Sequence, residues 1–474
     1  MSGRPEVTLV MTDVVARELA DAARLEVESG AVGLAGIVRT RQGIRLLLTQ
    51  LYWVPETAYE RRDADCLVIT SPGFVPALLA AEKIGRLAIW IHTHPHGTPA
   101  PSPHDDDVDA LLAFVFADRT GSDVYASLVV SPANSWWGFD FTGRAWFDLD
   151  QPTVGLLDPV PVGRTLVVGD RLAVTAPHGA PALHDPADDD AMFGRQVRAF
   201  GAPVQRAVEQ LRVAVVGVGG TGSAVTEQLT RLGVRALTLV DPDVLSASNI
   251  TRVFGSTPDD VGRPKVEVAA AHVLRLAPSA SIRTIRGKVT ELAIAKELRD
   301  SDVIFGCTDD NAGRQVLSRL SAYYLLPVID MGVLLDSVGG HLNGIFGRVT
   351  TLLPGAACLI CRGRVDLARA TAELLPAAER HARIQEGYAP ELPGVEPAVV
   401  AYTALTASLA INELLDRLVG HGPRPSPTEL LIRVHDRELS TNNKAFGVGH
   451  YCDPSGPTIG AGDRELFLEQ VWAG

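Results

Sequence analysis

The feature that most constrains this chain is a glycine-rich loop at residues 217–223, with the sequence Gly-Val-Gly-Gly-Thr-Gly-Ser. The β-branched run at 213–216 predicts a buried parallel strand before the loop, and residues 224–232 predict a helix after it. A second predicted strand, at 236–240, ends at Asp241. Glycines between a strand and a helix let phosphates approach backbone N–H groups, and an acid after the next strand suits a ribose hydroxyl. The sequence therefore predicts a βαβ nucleotide site.

The glycine spacing alone, G-x-G-x-x-G, fits a dinucleotide-binding dehydrogenase equally well. The residues that follow favour the displacement of pyrophosphate from a nucleoside triphosphate. Arg252 and Lys265 bring positive charge back towards the phosphates. Hydride transfer does not need this charge, whereas pyrophosphate displacement does. Asp309 and Asp310 follow a further buried strand and are placed to bind magnesium.

Together these motifs resemble the adenylation domain of the ubiquitin-activating superfamily, the ThiF/MoeB/HesA-like enzymes. The resemblance covers roughly residues 190–450 and implies a Rossmann-like fold that binds ATP and magnesium. The matching nucleotide-binding positions are Gly217, Gly219, Gly220, Gly222, Asp241, Asp243, Asn249, Arg252, Lys265 and the run Cys-Thr-Asp-Asp at 307–310. The resemblance assigns magnesium to Asp309, and it assigns to Arg195 a contact with the ATP of a partner subunit. It further implies that Arg252, Lys265 and Asp309 act in catalysis.

Length, composition and charge restrict the classes of protein to which the chain can belong. The chain has 474 residues, enough for two or three domains, and its 46% hydrophobic and 21% charged residues are ordinary for a soluble globular protein. The net charge of -13 argues against nucleic acid and anionic membranes as partners. The N-terminus lacks a signal-peptide pattern, and five cysteines without an even framework favour a reducing cytosol. We therefore expect a cytoplasmic protein.

A second motif lies in the first 150 residues, where a predicted buried strand runs into His92 and His94. Side chains two residues apart in a strand share a face, so both histidines can bind one metal ion. Ser102 opens a predicted helix, and Asp105 can turn back as a third ligand. Three protein ligands leave the fourth position of zinc open for water, which is the catalytic arrangement. Ser102-x-x-Asp105 is also a capping box, which would explain the helix start without a metal.

The spacing H-x-H-x7-S-x-x-D is similar to that of the JAMM (MPN-plus) metalloisopeptidases, whose domain is a cytidine-deaminase-like α/β fold. The resemblance implies three ligands of a catalytic zinc, namely His92, His94 and Asp105. It implies that Ser102 stabilises the oxyanion and that a glutamate acts as general base. Glu28 is the best candidate for that base, although an alanine replaces the glycine of the family's E-x-x-G segment, and Glu26 is the alternative.

Four residues of the second half could bind a structural zinc: Cys358, Cys361, His450 and Cys452. Two C-x-x-C pairs bind zinc in the ubiquitin-activating superfamily, but here His-Tyr-Cys replaces the second pair, so plain unpaired thiols are the alternative. The crossover segment at 365–393, which carries the transfer cysteine in thioester-forming enzymes of that superfamily, contains no cysteine. Adenylation needs only the nucleotide site, so the adenylate could pass directly to a thiol on another protein.

We therefore predict an α/β chain with a JAMM domain at 1–150, a linker at 151–189 and an adenylation domain at 190–474. Both chemistries suit a ubiquitin-like protein with an extended tail of small residues. The predicted function is that of a bacterial bifunctional enzyme that cuts at such a tail and, as a homodimer, adenylates it; an E2-like conjugating protein is a further expected partner. Two alternatives are activation of a sulfur carrier for cysteine or cofactor biosynthesis, and a binding scaffold that has lost activity.

Overall fold

In the computed structural model, the chain divides into two units, each of which contains a β-sheet flanked by helices. The structure describes residues 5–135, 137–149, 158–175, 186–386, 390–391, 397–470 and 472, with the main chain alone at 186–191. The first unit contains the described residues up to Gly169, Thr175 and Ile459–Glu465, and the second contains the other described residues. None of the helices in these ranges combines the length and the apolar character needed to span a lipid bilayer.

The first unit is a mixed sheet with three helices among its described residues. Its strands are β1 (Glu6–Thr12), β2 (Gly30–Arg39), β3 (Gly43–Trp53), β4 (Tyr59–Arg62), β5 (Leu67–Ile69), β6 (Leu87–Thr93), β7 (Tyr125–Pro132), β8 (Phe139–Trp146) and β9 (Val160–Val168). Its helices are α1 (Asp13–Ala23), α2 (Val75–Ile84) and α3 (Pro103–Thr120). The strand order of the sheet is β1-β3-β2-β6-β7-β8-β9-β10, where β10 is Leu172–Thr175, and β9 also pairs in parallel with β1. The β4–β5 hairpin is a separate small sheet.

Strand β6 is buried along its whole length between β2 and β7. In the antiparallel β2–β6 pair Gly30 lies opposite His92, so the start of β2 and the end of β6 meet at one edge of the sheet. His94 follows β6 directly, and its N–H donates to the carbonyl of Val130 at 2.7 Å. This register brings the residues that precede β2 next to the two histidines.

Helix α3 is held against this sheet by a cluster of large apolar side chains. Leu112 and Phe116 of α3 are buried in the same cluster as Trp90 of β6 and Tyr125 of β7. The rings of Phe116 and Tyr125 meet edge to face with their centroids 5.7 Å apart. Burial of each such side chain contributes roughly 1.5–3 kcal/mol. The packing therefore fixes the position of α3 on the sheet.

The second unit is built on a sheet of eight strands, five of which are parallel. Its strands are β11 (Arg212–Val216), β12 (Ala236–Val240), β13 (Ser281–Ile285), β14 (Val303–Gly306), β15 (Val328–Val338), β16 (His341–Leu352), β17 (Glu429–Arg433) and β18 (Glu438–Thr441). Its helices are α4 (Pro186–Phe200), α5 (Ala202–Gln210), α6 (Gly220–Leu232), α7 (Lys265–Leu276), α8 (Leu292–Glu297), α9 (Asn311–Tyr324), α10 (Leu367–Leu374), α11 (Ala377–Gln385) and α12 (Val400–Val419). The sheet order is β13-β12-β11-β14-β15-β16-β17-β18, parallel from β13 to β15 and antiparallel beyond. Both strands of the predicted βαβ unit are present, and α6 connects them.

Helix α6 begins at Gly220, whereas the sequence predicted a start at 224. Glycine disfavours helix interiors, so sequence reasoning assigned these residues to the loop. In the structure they form the first helical turn, which packs tightly on the loop. A Cβ at Gly222 would lie 1.8 Å from the carbonyl oxygen of Gly217, so only glycine fits there. The helix ends as predicted, with Gly233 in the left-handed conformation at a φ of 103°.

Two chain segments differ from the predicted division of the chain into two domains joined by a linker. The segment predicted to link the domains, 151–189, contains β9, β10 and the start of α4, while 151–157 and 176–185 lie outside the described residues. Residues 160–168 join the first sheet because apolar side chains such as Leu166 and Val168 are fully buried there. Near the end of the chain, Ile459–Glu465 belongs to the first unit, where the Asp463 N–H donates to the carbonyl of Ile37 at 2.8 Å.

Candidate functional site

His92, His94 and Asp105 lie together at the edge where β6 ends and α3 begins. The Nε2 atoms of the two histidines are 3.2 Å apart. Asp105 Oδ1 lies 3.0 Å from His92 Nε2, and Asp105 Oδ2 lies 3.6 Å from His94 Nε2. Tetrahedral ligands about 2.1 Å from a zinc ion are separated by about 3.4 Å from one another. The structure thus brings the three predicted ligands to spacings that fit one zinc ion.

Asp105 also completes the predicted capping box of α3. Its Oδ2 accepts a hydrogen bond from the Ser102 N–H at 2.6 Å, and its own N–H donates to Ser102 Oγ at 3.2 Å. A carboxylate has about four lone-pair sites, so one side chain can cap a helix and still face two histidines. The two interpretations of this segment are therefore compatible, and the cap orients Asp105. The Ser102 hydroxyl accepts in the cap, which leaves its proton available as a donor.

Glu28, in the turn before β2, is the glutamate that the fold brings to the histidines. Its Oε1 lies 4.0 Å from His94 Nε2, and the residue is 8% exposed. Burial is the largest influence on this carboxyl and raises its pKa to about 7, while His94 acts in the opposite direction. A carboxylate with a pKa near neutrality suits general base chemistry. Glu26, the alternative, is exposed to solvent.

The electrostatics of the three predicted ligands are mutually dependent. Burial by itself would raise the pKa of Asp105, but the hydrogen bonds from His92 and His94 outweigh burial and hold the pKa well below its usual range. The hydrogen bond with Asp105 is in turn the main cause that raises the pKa of His94. A carboxylate must be ionised to bind a metal, and Asp105 meets this condition.

Sequence reasoning missed the β4–β5 hairpin, which holds the main chain around Glu28. The Glu28 N–H donates to the carbonyl of Asp63 at 2.9 Å, and Arg62 Nε donates to the carbonyl of Glu28 at 2.8 Å. Arg62 also donates to Ser29 Oγ at 2.6 Å and lies over the Tyr59 ring, 4.7 Å from its centroid. The only sequence signal was the run Tyr-Glu-Arg-Arg, which by itself does not indicate a partner.

A second site lies at the carboxyl ends of β11, β12 and β14, around the glycine loop. Gly217 has a φ of 89°, and a Cβ there would lie 2.7 Å from the carbonyl oxygen of Cys307. Glycine is therefore required where the loop passes the end of β14. At Gly219, by contrast, no atom of the described residues lies within 4 Å of the Cβ position. This open face lies at the N-terminus of α6, where backbone N–H groups favour a phosphate.

Asp241 is buried and supports the glycine loop directly. Its Oδ2 accepts a hydrogen bond from the Val218 N–H at 2.7 Å, and its Oδ1 accepts from the Asp243 N–H at 2.9 Å. Burial is the main cause that raises its pKa, and Lys265 lowers it. Lys265 Nζ lies 2.7 Å from Asp243 Oδ2 and 3.8 Å from Asp241 Oδ1. The side chain of Asp243, 61% exposed, is the more accessible of these two carboxylates.

Arg252 and Asp309 are the two predicted catalytic residues that remain to be placed. The stem of Arg252 packs close to Gly220, 3.2 Å from its Cβ position, and its NH1 donates to the carbonyl of Ser248 at 2.9 Å. Asp309 is exposed beyond the end of β14. Its neighbour Asp310 is instead the N-cap of α9 and accepts from the backbone ahead of it. Of the two aspartates, Asp309 is therefore the one that remains open to a ligand.

Two further residues were predicted to contact the nucleotide, Asn249 and Arg195. Asn249 is almost buried, and its Oδ1 accepts from the Ser246 N–H at 3.2 Å, so it stabilises the turn that carries Arg252. Arg195 is exposed on α4. Its contact with the ATP of a partner subunit stays a prediction.

The predicted structural-zinc residues converge although they are far apart in sequence. His450 Nδ1 lies 3.6 Å from Cys358 Sγ, 3.5 Å from Cys361 Sγ and 3.3 Å from Cys452 Sγ. Cys361 Sγ and Cys452 Sγ are 3.7 Å apart. Ligands of one tetrahedral zinc, with Zn–S of about 2.3 Å and Zn–N of about 2.0 Å, have comparable separations. The hydrogen bond with Cys452 is the main cause that lowers the pKa of Cys358 to about 5, and the pKa of Cys452 is raised.

The crossover segment packs at the start of α9, beside Asp309. Glu373 of α10 accepts from the Ala312 N–H at 2.8 Å and from Asn311 Nδ2 at 3.2 Å. No local pattern in the sequence indicated this contact. The nearest cysteine in sequence to Asp309 is Cys307, and burial raises the pKa of its thiol well above the usual value. Such a thiol is a poor nucleophile.

Comparison with known proteins decides the family. Residues 193–444 match the model of the ThiF family. The chain belongs to the ThiF family. Its α/β fold with a Rossmann-like second unit, as predicted, is thereby confirmed, and the matched range contains every predicted nucleotide-binding residue.

Several relatives of this ThiF-family chain carry names that state an activity. The SAMP-activating enzyme E1 of Haloferax volcanii is 30% identical over 209 residues, which are 43% of this chain and 70% of the relative. The molybdopterin-synthase adenylyltransferase of Escherichia coli is 34% identical over 177 residues, 36% of this chain and 68% of the relative. The ubiquitin-like modifier-activating enzyme 5 of Oryza sativa subsp. japonica is 30% identical over 168 residues, 32% of this chain and 38% of the relative.

Proposed function

We propose that this ThiF-family chain is a bifunctional enzyme that acts on the C-terminal tail of a ubiquitin-like or sulfur-carrier protein. The second unit adenylates the terminal carboxylate, and the first hydrolyses an amide bond next to such a terminus. The observation that carries the adenylation half is the open face of Gly219 at the start of α6. Arg252 packs beside the adjacent Gly220, and Lys265 lies beside Asp241, which supports the loop. The names of the relatives support the same chemistry.

ATP fits this site because backbone N–H groups of the loop can bind its phosphates without obstruction at Gly219. Asp309 is the exposed carboxylate that would hold magnesium, which supplies positive charge to the phosphates when bound. Arg252 and Lys265 stabilise the negative charge that develops on the departing pyrophosphate. Arg195 adds to this charge from the partner subunit of a homodimer. Asp243, accessible beside Lys265, is the better placed carboxylate for a ribose hydroxyl, because Asp241 already accepts two backbone N–H groups.

The peptidase half rests on the convergence of Glu28 with His92, His94 and Asp105. Their donor atoms fit the spacing of a zinc site, and zinc, when bound, polarises a water molecule and lowers its pKa. Glu28 would serve as the general base that accepts a proton from the attacking water molecule, and its raised pKa suits this role. The Ser102 hydroxyl donates to the oxyanion that forms on the scissile carbonyl. The JAMM (MPN-plus) resemblance supports this assignment to the first unit.

We propose that Cys358, Cys361, His450 and Cys452 bind a structural zinc ion. The alternative is that the three thiols and the imidazole bind no metal. Three sulfurs and one imidazole nitrogen within 4.8 Å of one another match the donor set of Cys3His sites. The same arrangement argues against Cys358 or Cys361 as a transfer thiol, because a metal ligand is not free to attack an adenylate.

A second candidate for the biological role is the activation of a sulfur carrier for cysteine or cofactor biosynthesis. It is favoured by the crossover segment at 365–393, which has no cysteine for a thioester. In that case the adenylate passes directly to a sulfur donor instead of an E2-like conjugating protein. The scaffold alternative is disfavoured, because a scaffold has no need of the cations and carboxylates that surround both sites.

Two assays test the two halves separately. The first measures exchange of labelled pyrophosphate into ATP in the presence of small-tailed carrier proteins. We expect exchange that depends on a free terminal carboxylate; bound ATP without exchange for any carrier contradicts adenylation. The second measures cleavage of a carrier that has a C-terminal extension. We expect cleavage to stop on chelation and to return with zinc; cleavage that survives chelation contradicts a zinc peptidase.

A further inference from the structure

Next to the nucleotide site, two arginines flank one fully buried aspartate. Asp330 of β15 is 0% exposed, and its Oδ2 accepts from Arg348 NH2 at 2.5 Å. Arg314 Nε lies 3.7 Å from Asp330 Oδ1, beyond hydrogen-bonding distance. Among the residues that the structure describes, neither of these two atoms has a hydrogen-bond partner. The group carries two positive charges against one negative charge, so it is electrostatically incomplete.

This group of Asp330, Arg314 and Arg348 is separated from the strand that precedes the glycine loop, β11, by one strand. In the sheet β14 lies between β11 and β15, and Gly306 of β14 is opposite Asp330. Arg314, on α9, donates weakly to the carbonyl of Asp309 and to that of Met331, at 3.4 Å in each case. The guanidinium of Arg314 is therefore adjacent to the residue proposed to bind magnesium. A reactant held there would approach the phosphates from the side of β15.

Gly332 leaves the front of both guanidinium groups open. A Cβ at this position would lie 3.3 Å from Arg348 NH2 and 3.7 Å from Arg314 NH2. The side chains of Arg314 and Arg348 are 16% and 12% exposed, so each is largely buried but keeps some contact with solvent. A small anion that rests on Gly332 can contact both tips. Guanidinium groups bind carboxylates with paired N–H donors, which gives directional recognition.

The two arginines are held differently. Arg348 NH1 also donates to Thr350 Oγ1, which donates to Glu429 Oε1 at 3.0 Å, so a buried network fixes this side chain. Among the described residues, the hydrogen bonds that Arg314 makes are long, at 3.4 Å, so they restrain its guanidinium less than the network restrains that of Arg348. Arg348 is thus the more rigid of the two arginines, and Arg314 is the one that can move towards a bound ligand.

We propose that Arg314, Arg348 and Gly332 form the subsite that binds the terminal carboxylate of the carrier tail, with Asp330 as a positioning residue for Arg348. The inference rests on the proposed adenylation function. One carboxylate neutralises the excess positive charge of the group. In the reaction an oxygen of this carboxylate forms a bond to the α-phosphorus, and the bond from that phosphorus to the bridging oxygen breaks. Pyrophosphate leaves with the electron pair, and no proton is transferred.

The test measures binding, so that it does not depend on turnover. The probes are a synthetic peptide that ends in Gly-Gly with a free carboxylate and the same peptide as its amide, titrated into the full chain with magnesium and a non-hydrolysable ATP analogue. We expect the acid to bind roughly tenfold or more tightly than the amide, as for a charge-assisted pair. Arg314→Gln should abolish this preference and leave the affinity for the ATP analogue unchanged. Arg231→Gln, at the far end of α6, should preserve both.

The outcomes separate the subsite from its alternatives. Equal binding of acid and amide by the unaltered chain, or an acid preference that survives in Arg314→Gln, overturns the inference. Weaker binding of the ATP analogue by the variant shows that the anion is a phosphate, which also overturns it. Arg348→Lys provides a second variant that keeps a charge beside Asp330 and should lower the acid preference without loss of the fold. If acid preference is present but pyrophosphate exchange is absent, the subsite stands and the proposed adenylation fails.

Discussion

Glu28 Oε1 and His94 Nε2 lie 4.0 Å apart, although Glu28 precedes β2, His94 follows β6 and the two residues are distant in sequence. The pairing of β2 with β6 explains this approach, since Gly30 lies opposite His92 and the residues flanking them meet at one edge. Burial raises the pKa of Glu28 to about 7. The side chain is thus a base of suitable strength beside three potential zinc ligands, and its function can be tested by substitution.

Replacement of Glu28 by glutamine should abolish cleavage of an extended carrier while the zinc content stays the same. The amide cannot accept a proton from water, and loss of a general base lowers rates by roughly 100- to 10,000-fold. Cleavage rate and zinc content are measured on the same preparation. Glu26→Gln, at an exposed position, is the matched control and should cleave normally. Cleavage by Glu28→Gln at the normal rate would assign the base elsewhere.

Replacement of Asp105 by asparagine should remove about one zinc ion per chain, because a neutral amide oxygen is a poor ligand. The asparagine oxygen can still accept from the Ser102 N–H, so α3 should keep its cap and the Tm should change little. Metal analysis and thermal unfolding give the two readings. Asp107→Asn, which alters an exposed aspartate of the same helix, should retain the zinc. An unchanged zinc content in Asp105→Asn would show that Asp105 is no ligand.

Local patterns in the sequence predicted what local geometry determines. His92 and His94 share a face because side chains alternate along a strand, and Asp105 turns back because Ser102 caps the helix. The glycine loop and the strand ends that deliver Asp241 and Asp309 follow from the same kind of reasoning, and the ThiF family match confirms the fold there.

Contacts between distant segments could not be predicted, because local patterns in one sequence do not show which elements meet. The hairpin that carries Arg62 to the Glu28 carbonyl is one case, and the return of Ile459–Glu465 to the first unit is another. Competition for hydrogen bonds is a second reason. Asp241 had the spacing of a ribose ligand, yet its buried oxygens accept backbone N–H groups of the loop and of Asp243. Burial and satisfaction of polar atoms become visible only in the folded chain.

Replacement of Lys265 by methionine should lower pyrophosphate exchange by roughly 100-fold, the usual cost of one group that stabilises developing charge. Its ammonium lies 2.7 Å from Asp243 Oδ2 and faces the loop, so its removal also leaves two carboxylates near the phosphates. The cleavage of an extended carrier should not change. Lys288→Met, at an exposed position beyond β13, is the control. Full exchange activity in Lys265→Met would exclude Lys265 from phosphate stabilisation.

Replacement of Cys361 by serine should release the zinc proposed for the cysteine cluster and lower the Tm. Loss of about 2 kcal/mol of stability lowers the Tm of a unit of this size by roughly 4–8 °C. Metal analysis and thermal unfolding again provide the measurement, with Cys66→Ser as the control outside the cluster. If the four groups are plain thiols and imidazole, the unaltered chain holds no zinc that depends on Cys361, and the proposal of a structural zinc is wrong.

If one chain both exposes and activates the same terminus, the two activities should be coupled, and a coupled assay tests this most directly. Pyrophosphate exchange is measured with a mature carrier and with the same carrier blocked by a C-terminal extension. We predict that the unaltered chain supports exchange with both carriers, whereas Glu28→Gln supports exchange with the mature carrier only. Exchange by Glu28→Gln with the blocked carrier, or failure of the unaltered chain to use it, would contradict the account.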